Sequence, residues 1–483
     1  MSADIAPTTM ARNVAPLVLR ARGALTALDA ETRRVITDRT LTADPTVRTR
    51  TSAIIERVRT DGDDALREFA RDFDGVNIEQ LEVPRHYWQQ ALNTLDPQLR
   101  NSLERAARNI TAVHTAFLPD AAQVSPEPGI LVGRRPDPLG RVGVYAPGGR
   151  AAYPSSLLMG AIPARVAGVG EIVVCSPPSP NGVPSNVVLA AAALANVDRV
   201  FAIGGAGAIA AMALGTHSVP QVDRIVGPGN AYVAEAKLQL VAHVGIDAPA
   251  GPSELLVLAD ETANADAIAR ELLAQAEHDP DAAVIAVLVG AGAGVRSAVD
   301  ALATAVEEAL VSQLATAPRA EIVRGALAAR GAIVTVDTLS EGIAFANAWA
   351  AEHLLLIVDE TVRAQTLESL RNAGTVFVGD SSSVAFGDYM TGANHVLPTA
   401  GAARSYSGLS TLDFVRWTTW QRVSPDAAAR LAQDVGRFAD AEGLPGHAAA
   451  ARAWQVASES DATVASDTTA ATGAGSDVAE LRA

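Results

Sequence analysis

The sequence predicts an α/β protein built on mainly parallel sheets. Two observations carry this. Short apolar runs alternate with Ala-rich helical stretches through the middle of the chain, and each run ends in glycine or proline punctuation. The same alternation resumes after Glu254, which calls for a second α/β unit.

Taken in order, residues 1–28 carry no clear period and read as an N-terminal arm. From Val47 onward, Val47, Ile54, Ile55, Val58, Leu66, Phe69 and Ala70 recur at helical spacing with charges between them. Asp61-Gly62-Asp63 interrupts this pattern as a helix stop followed by a new N-cap. Another helix is expected over 97–117. Strands are expected over 140–145, 171–175, 197–203 and 222–226, ending respectively in Pro147-Gly148-Gly149, Pro177-Pro178, Gly204-Gly205 and Gly227-Pro228-Gly229-Asn230. The second set lies at 254–258, 283–288, 333–336, 354–358 and 376–378. After Pro398 the reading turns helical, with amphipathic candidates at 425–438 and 446–456. The segment from Ser458 is Ser/Thr/Ala/Asp/Gly-rich without periodicity and is expected to be disordered.

The expected fold class is therefore two Rossmann-like (incomplete) parallel-sheet domains with helical N- and C-terminal arms. The expected partition is an arm at 1–28, a first α/β domain from 29–144 plus 251–345, and a second from 145–250 plus 346–395. A C-terminal helical arm over 396–457 and a tail over 458–483 complete it.

Composition narrows the function. The 483 residues carry a net charge of −16, which argues against nucleic acid or an anionic membrane as the main partner. Two long uncharged stretches, 172–197 and 200–222, are broken by several prolines and glycines, so no membrane span is expected. Asp4 stands where an export signal would be basic, and the expected location is cytoplasmic. The one cysteine, Cys175, sits in an apolar run and excludes a thiolate metal site. Any bound metal must take His, carboxylate or amide ligands. Of the 38 basic residues only Lys237 is a lysine.

Five constellations could carry chemistry. Gly205-Ala206-Gly207-Ala208-Ile209-Ala210 satisfies G-x-G-x-x-A after a strand, yet Asp223, at the right distance for a ribose-binding acid, opens its strand instead of ending it. A tight strand-to-helix turn explains the string equally well. Gln275 and His278 share the inward face of one helix near its C-terminal end. Glu352-His353 offers a carboxylate and an imidazole at a strand edge, suited to proton transfer. The glycine-punctuated segment 387–398 contains Asp388 and His395, both candidates for metal or substrate contact. Glu442 and His447 open the final helical segment. Taken singly, most of these also have an ordinary structural explanation.

Together the strings resemble histidinol dehydrogenase. The carrying segments are Arg141-Val142-Gly143-Val144-Tyr145-Ala146-Pro147-Gly148-Gly149, Val226 through Asn230, Ala250 through Glu254, Gln275 through Pro280, Ala351 through His353, and Gly387 through Pro398. The resemblance covers about 47–456. It implies oxidation of L-histidinol to L-histidine in two NAD-dependent steps through L-histidinal, the last step of histidine biosynthesis. It further implies one Zn2+ per subunit held by Gln275, His278, Asp388 and His447, with His447 supplied by the other subunit of a homodimer. Glu352 and His353 become the acid–base pair. Ser253 and Glu442 contact substrate beside those residues, and Tyr145, Gly207 and Asn230 mark the NAD site.

Two positions depart from the family pattern: Gly207 stands where glutamine is usual, and Leu238 where arginine is common. A paralogue acting on another amino alcohol or polyol, and a non-catalytic binding protein on the same fold, are the competing readings.

Overall fold

The computed structural model describes residues 17–39, 44–148, 152–290 and 296–464. Its first strands are β1 (Ala21–Ala24), β2 (Ala122–Val124), β3 (Ile130–Pro138) and β4 (Arg141–Tyr145). There follow β5 (Glu171–Ser176), β6 (Arg199–Ala202), β7 (Arg224–Val226) and β8 (Gly245–Ile246). The remainder are β9 (Glu254–Asp260), β10 (Ala283–Val289), β11 (Ala332–Val336), β12 (Ala351–Ile357), β13 (Ala373–Val378) and β14 (Val415–Val423). Among the described residues they form a six-stranded sheet ordered β1-β11-β10-β9-β12-β13, a five-stranded sheet ordered β6-β5-β4-β7-β8, and a three-stranded sheet ordered β14-β3-β2. The pairings of the two larger sheets are parallel. The expected α/β class stands.

The apolar runs are continuous because both faces of these strands are covered. Along β9, Leu255, Val257 and Ala259 enter one core with the helices Ala265–Ala276 and Arg296–Leu314. The alternate residues Leu256 and Leu258 enter the opposite core with Ile36 and Trp349. In the five-stranded sheet Ile172, Val173, Val174 and Cys175 are all fully buried. Burial pushes the Cys175 thiol upward, which keeps it a neutral hydrophobe. The stretches 172–197 and 200–222 contain only the short helices Asn186–Leu194 and Gly205–Leu214 between strands, and no described helix is long and apolar enough to cross a membrane.

Local chemistry sets the helix ends. Asp96 accepts from the amides of Gln98 and Leu99 and starts Pro97–Ala116, with Pro97 in the first position where its missing N–H costs nothing. At Asp61-Gly62-Asp63 it is Gly62, at φ 54°, that links Pro45–Asp61 to Asp63–Phe73. The expected cap, Asp63, instead accepts from the hydroxyls of Thr216 and Ser218.

The chain divides into two compact units, 1–118 with 138–415 and 119–137 with 416–483. Both large sheets belong to the first. The expected partition shifts in four places. Strand β4 pairs with β5 and β7, so 141–144 joins the sheet of 145–250. Strand β12 pairs with β9, and β13 with β12, so 351–378 joins the sheet of 254–336. Residues 21–24 of the expected arm form β1, an edge strand beside β11. In the second unit β14 lies beside β3, a strand inside a segment expected to be helical. The final helix, Pro445–Val464, continues through 458–464, where disorder was expected, and 465–483 lies outside the described residues.

One buried group makes the first unit sensitive to acid. His114, on Pro97–Ala116, is 1% exposed, and neither ring nitrogen has a hydrogen-bond partner. Burial pushes its imidazole down to about 4. The folded chain therefore binds fewer protons than the unfolded chain between about pH 6.5 and 4, and folding weakens as pH falls through that window. His114→Leu is expected to remove about 3 kcal/mol of acid-induced loss. Urea-unfolding midpoints measured from pH 7 to 4 would show it as a shallower decline than in the parent chain.

Candidate active site

The site begins at the amino-terminal ends of β9 and β12. Glu352 and His353 are the second and third residues of β12, within the strand and not ahead of it, and both are buried. Parallel pairing sets His353 opposite Leu255. The backbone of Glu254 then serves both side chains. Its N–H donates to Glu352 Oε2 at 2.7 Å, and its carbonyl oxygen lies 3.0 Å from His353 Nδ1. A carbonyl only accepts, so Nδ1 carries a hydrogen. That leaves Nε2 as the titrating atom. It is buried without a hydrogen-bond partner, 3.6 Å from Asp388 Oδ1.

Electrostatics at this pair are strong. Burial alone would push the His353 pKa down, but Glu352 and Asp388 outweigh it and raise it to about 10. Burial works against the Asp388 carboxylate as well, yet His353, His395 and His278 hold it below its usual range. Asp388 is thus surrounded by imidazoles.

Gln275 and His278 come from the C-terminal end of Ala265–Ala276, the helix between β9 and β10. Such a helix runs antiparallel to its strands, so its end returns to the same amino-terminal edge. Gln275 is 3% exposed. The Nδ1 of His278 lies 3.2 Å from the Gln275 carbonyl oxygen, which places the hydrogen on Nδ1 and leaves Nε2 as the nitrogen able to ligate a cation. The structure therefore draws Glu352, His353 and Asp388 together, with His278 within electrostatic reach of Asp388. Among the described residues no group of three His, Cys, Asp or Glu side chains gathers closely enough to hold a metal ion. The imidazole and the carboxylate are donors that zinc commonly accepts, and the amide oxygen of Gln275 is a neutral, less usual third. The orphaned Nε2 of His353 lies against the same carboxylate.

His395 takes a different part. Its Nδ1 donates to the Asp388 carbonyl oxygen at 2.8 Å, and its Nε2 lies 3.2 Å from Ser156 Oγ, so both ring nitrogens are occupied. It holds the Asp388 backbone against the helix Pro154–Val166, a structural role that its expected part as a metal or substrate contact did not include. Asn394 pins the same segment by donating to the Met159 carbonyl at 2.8 Å.

Two residues that composition and spacing assigned no role underlie the pair. The Glu254 side chain accepts from the Ala400 N–H at 2.9 Å and forms a buried ion pair with Arg39. Arg39 stacks on the Trp349 ring, 3.5 Å from its centroid, and donates to the Trp349 carbonyl. The one sequence signal was an acid standing at the start of an apolar strand. Ser253, just before β9, is half-buried, and its carbonyl accepts from the Ala283 N–H at 3.0 Å.

The residues expected at an NAD site lie at the carboxyl-terminal edge of the five-stranded sheet. Tyr145 ends β4 and is 3% exposed; its hydroxyl oxygen accepts from the Gly205 N–H at 3.0 Å. Burial pushes the phenol up to about 12, so it stays protonated. Asn230 follows β7 and caps Ala231–Leu240, its Oδ1 accepting from the Tyr232 and Val233 amides. Gly207 lies in the first turn of Gly205–Leu214. Leu66, Phe69, Phe73, Gly205, Gly207 and Asn230 help line a cavity of about 550 Å3 here. A Cβ at 207 would come 3.1 Å from the Phe69 ring, so the glycine admits that ring. Leu238 is exposed on Ala231–Leu240, and nothing in the structure explains it.

Glu442 and His447 belong to the second unit. Glu442 is the C-cap of Pro425–Ala441, His447 lies in the first turn of Pro445–Val464, and both are exposed. Phe438 and Trp454 on the same two helices are 75% and 53% exposed.

The family model described as histidinol dehydrogenase matches residues 37–454. A histidinol dehydrogenase of Methanosarcina barkeri is 45% identical over 402 residues, which cover 83% of this chain and 90% of that one. One from Nitrosomonas europaea is 46% identical over 401 residues, 82% of this chain and 90% of that one. The crystal structure of histidinol dehydrogenase from Elizabethkingia anophelis superposes with a TM-score of 0.84 at 31% identity, covering 91% of this chain and 99% of that one.

The buried Arg39–Glu254 pair gives a stability test. Arg39→Met strands a buried carboxylate and is expected to cost about 3 kcal/mol or more. Arg39→Met with Glu254→Gln removes both charges and should recover part of that loss. Denaturant unfolding of the two variants measures the difference.

Proposed function

The chain belongs to the histidinol dehydrogenase family, which are NAD-dependent oxidoreductases, and from that premise we propose the full reaction of this chain. It oxidises L-histidinol to L-histidine through L-histidinal, by four electrons and two NAD, as the closing step of histidine biosynthesis in the cytoplasm. The observation that supports this most is the shared anchoring of Glu352 and His353 on the Glu254 peptide, with the unpartnered Nε2 of His353 facing Asp388.

Gln275, His278 and Asp388 would hold a Zn2+ ion, with His447 of a second copy completing the set in a homodimer. The exposure of His447 and Glu442 beside the bare Phe438 and Trp454 supports that second contribution. The ion would bind and orient the substrate's amine and imidazole, and would draw the Asp388 charge away from His353. With that charge withdrawn, Nε2 is free to take the alcohol proton as hydride leaves the carbon. Glu352 then activates water for attack on the aldehyde carbon, and His353 serves again as base in the second oxidation. Ser253 and Glu442 fix the substrate's polar ends. NAD would supply the hydride acceptor, and Tyr145, the Gly205–Gly207 turn and Asn230 would hold it. The cavity beside Gly207 and the N-terminus of Gly205–Leu214, which favours a phosphate, support that placement.

Supplied with L-histidinol and excess NAD, the purified protein is expected to form two NADH per substrate consumed. Prolonged chelation should abolish this and added zinc restore it. One NADH per substrate, or turnover indifferent to chelator, would count against the reading. His353→Asn is expected to slow both oxidations by about a hundredfold or more. Glu352→Gln should chiefly slow the second, which L-histidinal supplied directly would measure.

A further inference from the structure

The one lysine of the chain is spent on a buried clamp. Lys237 Nζ, on Ala231–Leu240, donates to the Gly227 carbonyl at 2.5 Å and to Asp247 Oδ1 at 2.6 Å. Asp247 Oδ2 accepts from the Gly227 N–H at 2.7 Å. Both polar groups of Gly227 are thus captured by one ion pair whose side chains are 8% and 6% exposed. Asp247 directly follows β8, whose pairing with β7 delivers it to the end of β7. Gly227 has φ +115°, and a Cβ there would meet the Tyr145 carbonyl oxygen at 2.2 Å. The loop therefore lies hard against the backbone of Tyr145, and three residues later it presents Asn230. Around a single carbonyl and a single carboxylate a compact ammonium fits where a planar guanidinium fork would not. In a chain whose other 37 basic residues are all arginine, this is where the lysine stands.

We infer that Lys237 and Asp247 are positioning residues for the dinucleotide: their ion pair fixes the Gly227–Asn230 loop so that Tyr145 and Asn230 meet the cofactor together. Neither side chain touches the cofactor itself. The inference rests on the assignment of Tyr145 and Asn230 to the NAD site.

The test uses the whole protein and three variants. Asp247→Asn is isosteric but keeps one acceptor oxygen where the clamp needs two. Lys237→Met with Asp247→Leu removes both charges, so neither is left buried alone. Asn230→Ala deletes the contact residue. NAD binding is measured by calorimetry without turnover, beside the KM for NAD and for L-histidinol and the thermal midpoint. Asp247→Asn and the double variant, wherever folded, are expected to bind NAD about tenfold more weakly while the L-histidinol KM stays within about twofold. A folded clamp variant that binds NAD like the parent overturns the inference. So does a parallel rise in both KM values, which would mark general damage. If Asn230→Ala itself leaves NAD binding unchanged, the assignment of the cofactor site fails, and the clamp inference falls with it.

Discussion

The peptide of Glu254 is the constraint on which the proposed catalytic half of the molecule depends. A first strand residue has a backbone N–H and carbonyl at the rim of the sheet. Here both are taken by side chains of the neighbouring strand, Glu352 and His353. Strand register therefore becomes active-site geometry. A slip of β12 by one residue would turn both side chains to the wrong faces. The Glu254 side chain secures the same peptide from below, through Arg39 and the Ala400 amide. Arg39 in turn is stacked on Trp349, at the end of the helix that feeds β12. Core packing, ion pairing and strand pairing thus converge on one residue.

The two halves of the proposed site use opposite ends of their sheets, and helix polarity gives that arrangement a physical sense. At the five-stranded sheet the turns after β6 and β7 open the helices Gly205–Leu214 and Ala231–Leu240, whose N-terminal amides favour an anion. This suits a pyrophosphate. At the six-stranded sheet the strands present their amino ends, and Ala265–Ala276 arrives with its C-terminus. The partial negative charge there favours a cation near Gln275 and His278. One connection ties the halves together: His395 and Asn394 fasten the Asp388 segment to Pro154–Val166, the helix that follows β4.

Most of the strands were legible because burial on both faces leaves nearly unbroken apolar runs, as in Ile172–Cys175. For the same reason the partition between sheets was not. A run buried on both sides carries no mark of which sheet it joins, so β4 and the strands from 351 to 378 were assigned to the wrong neighbours. Strand β1 was missed because pairing with β11, a tertiary contact, orders a four-residue segment with no period. In β14, Val415, Trp417, Thr418, Thr419, Trp420 and Val423 have strong β preference, but its exposed face hid the alternation. Glu352 and His353, the proposed acid–base pair, stood out as polar residues opening an apolar strand. The part played by His395 was hidden, since only the fold reveals that Ser156 and the Asp388 carbonyl occupy both nitrogens. Lys237 and Asp247 gave little sign, because nine residues of helix, turn and strand separate two groups that meet over Gly227.

Charge balance at the catalytic half bears on the proposed metal. Glu254, Glu352 and Asp388 bring three buried or nearly buried carboxylates into one neighbourhood, and Arg39 answers one of them. With His353 neutral, two negative charges are unbalanced in a region of poor solvation, which burial makes costly. The chain alone has one remedy, to keep a proton on His353, and its raised pKa is that remedy. A histidine so held is a poor base. A divalent cation between Asp388 and the free nitrogen of His278 would restore balance with His353 deprotonated, the form in which Nε2 can accept a proton. The same three carboxylates that would make the pair unreactive in isolation thus supply the electrostatic reason for a cation beside it.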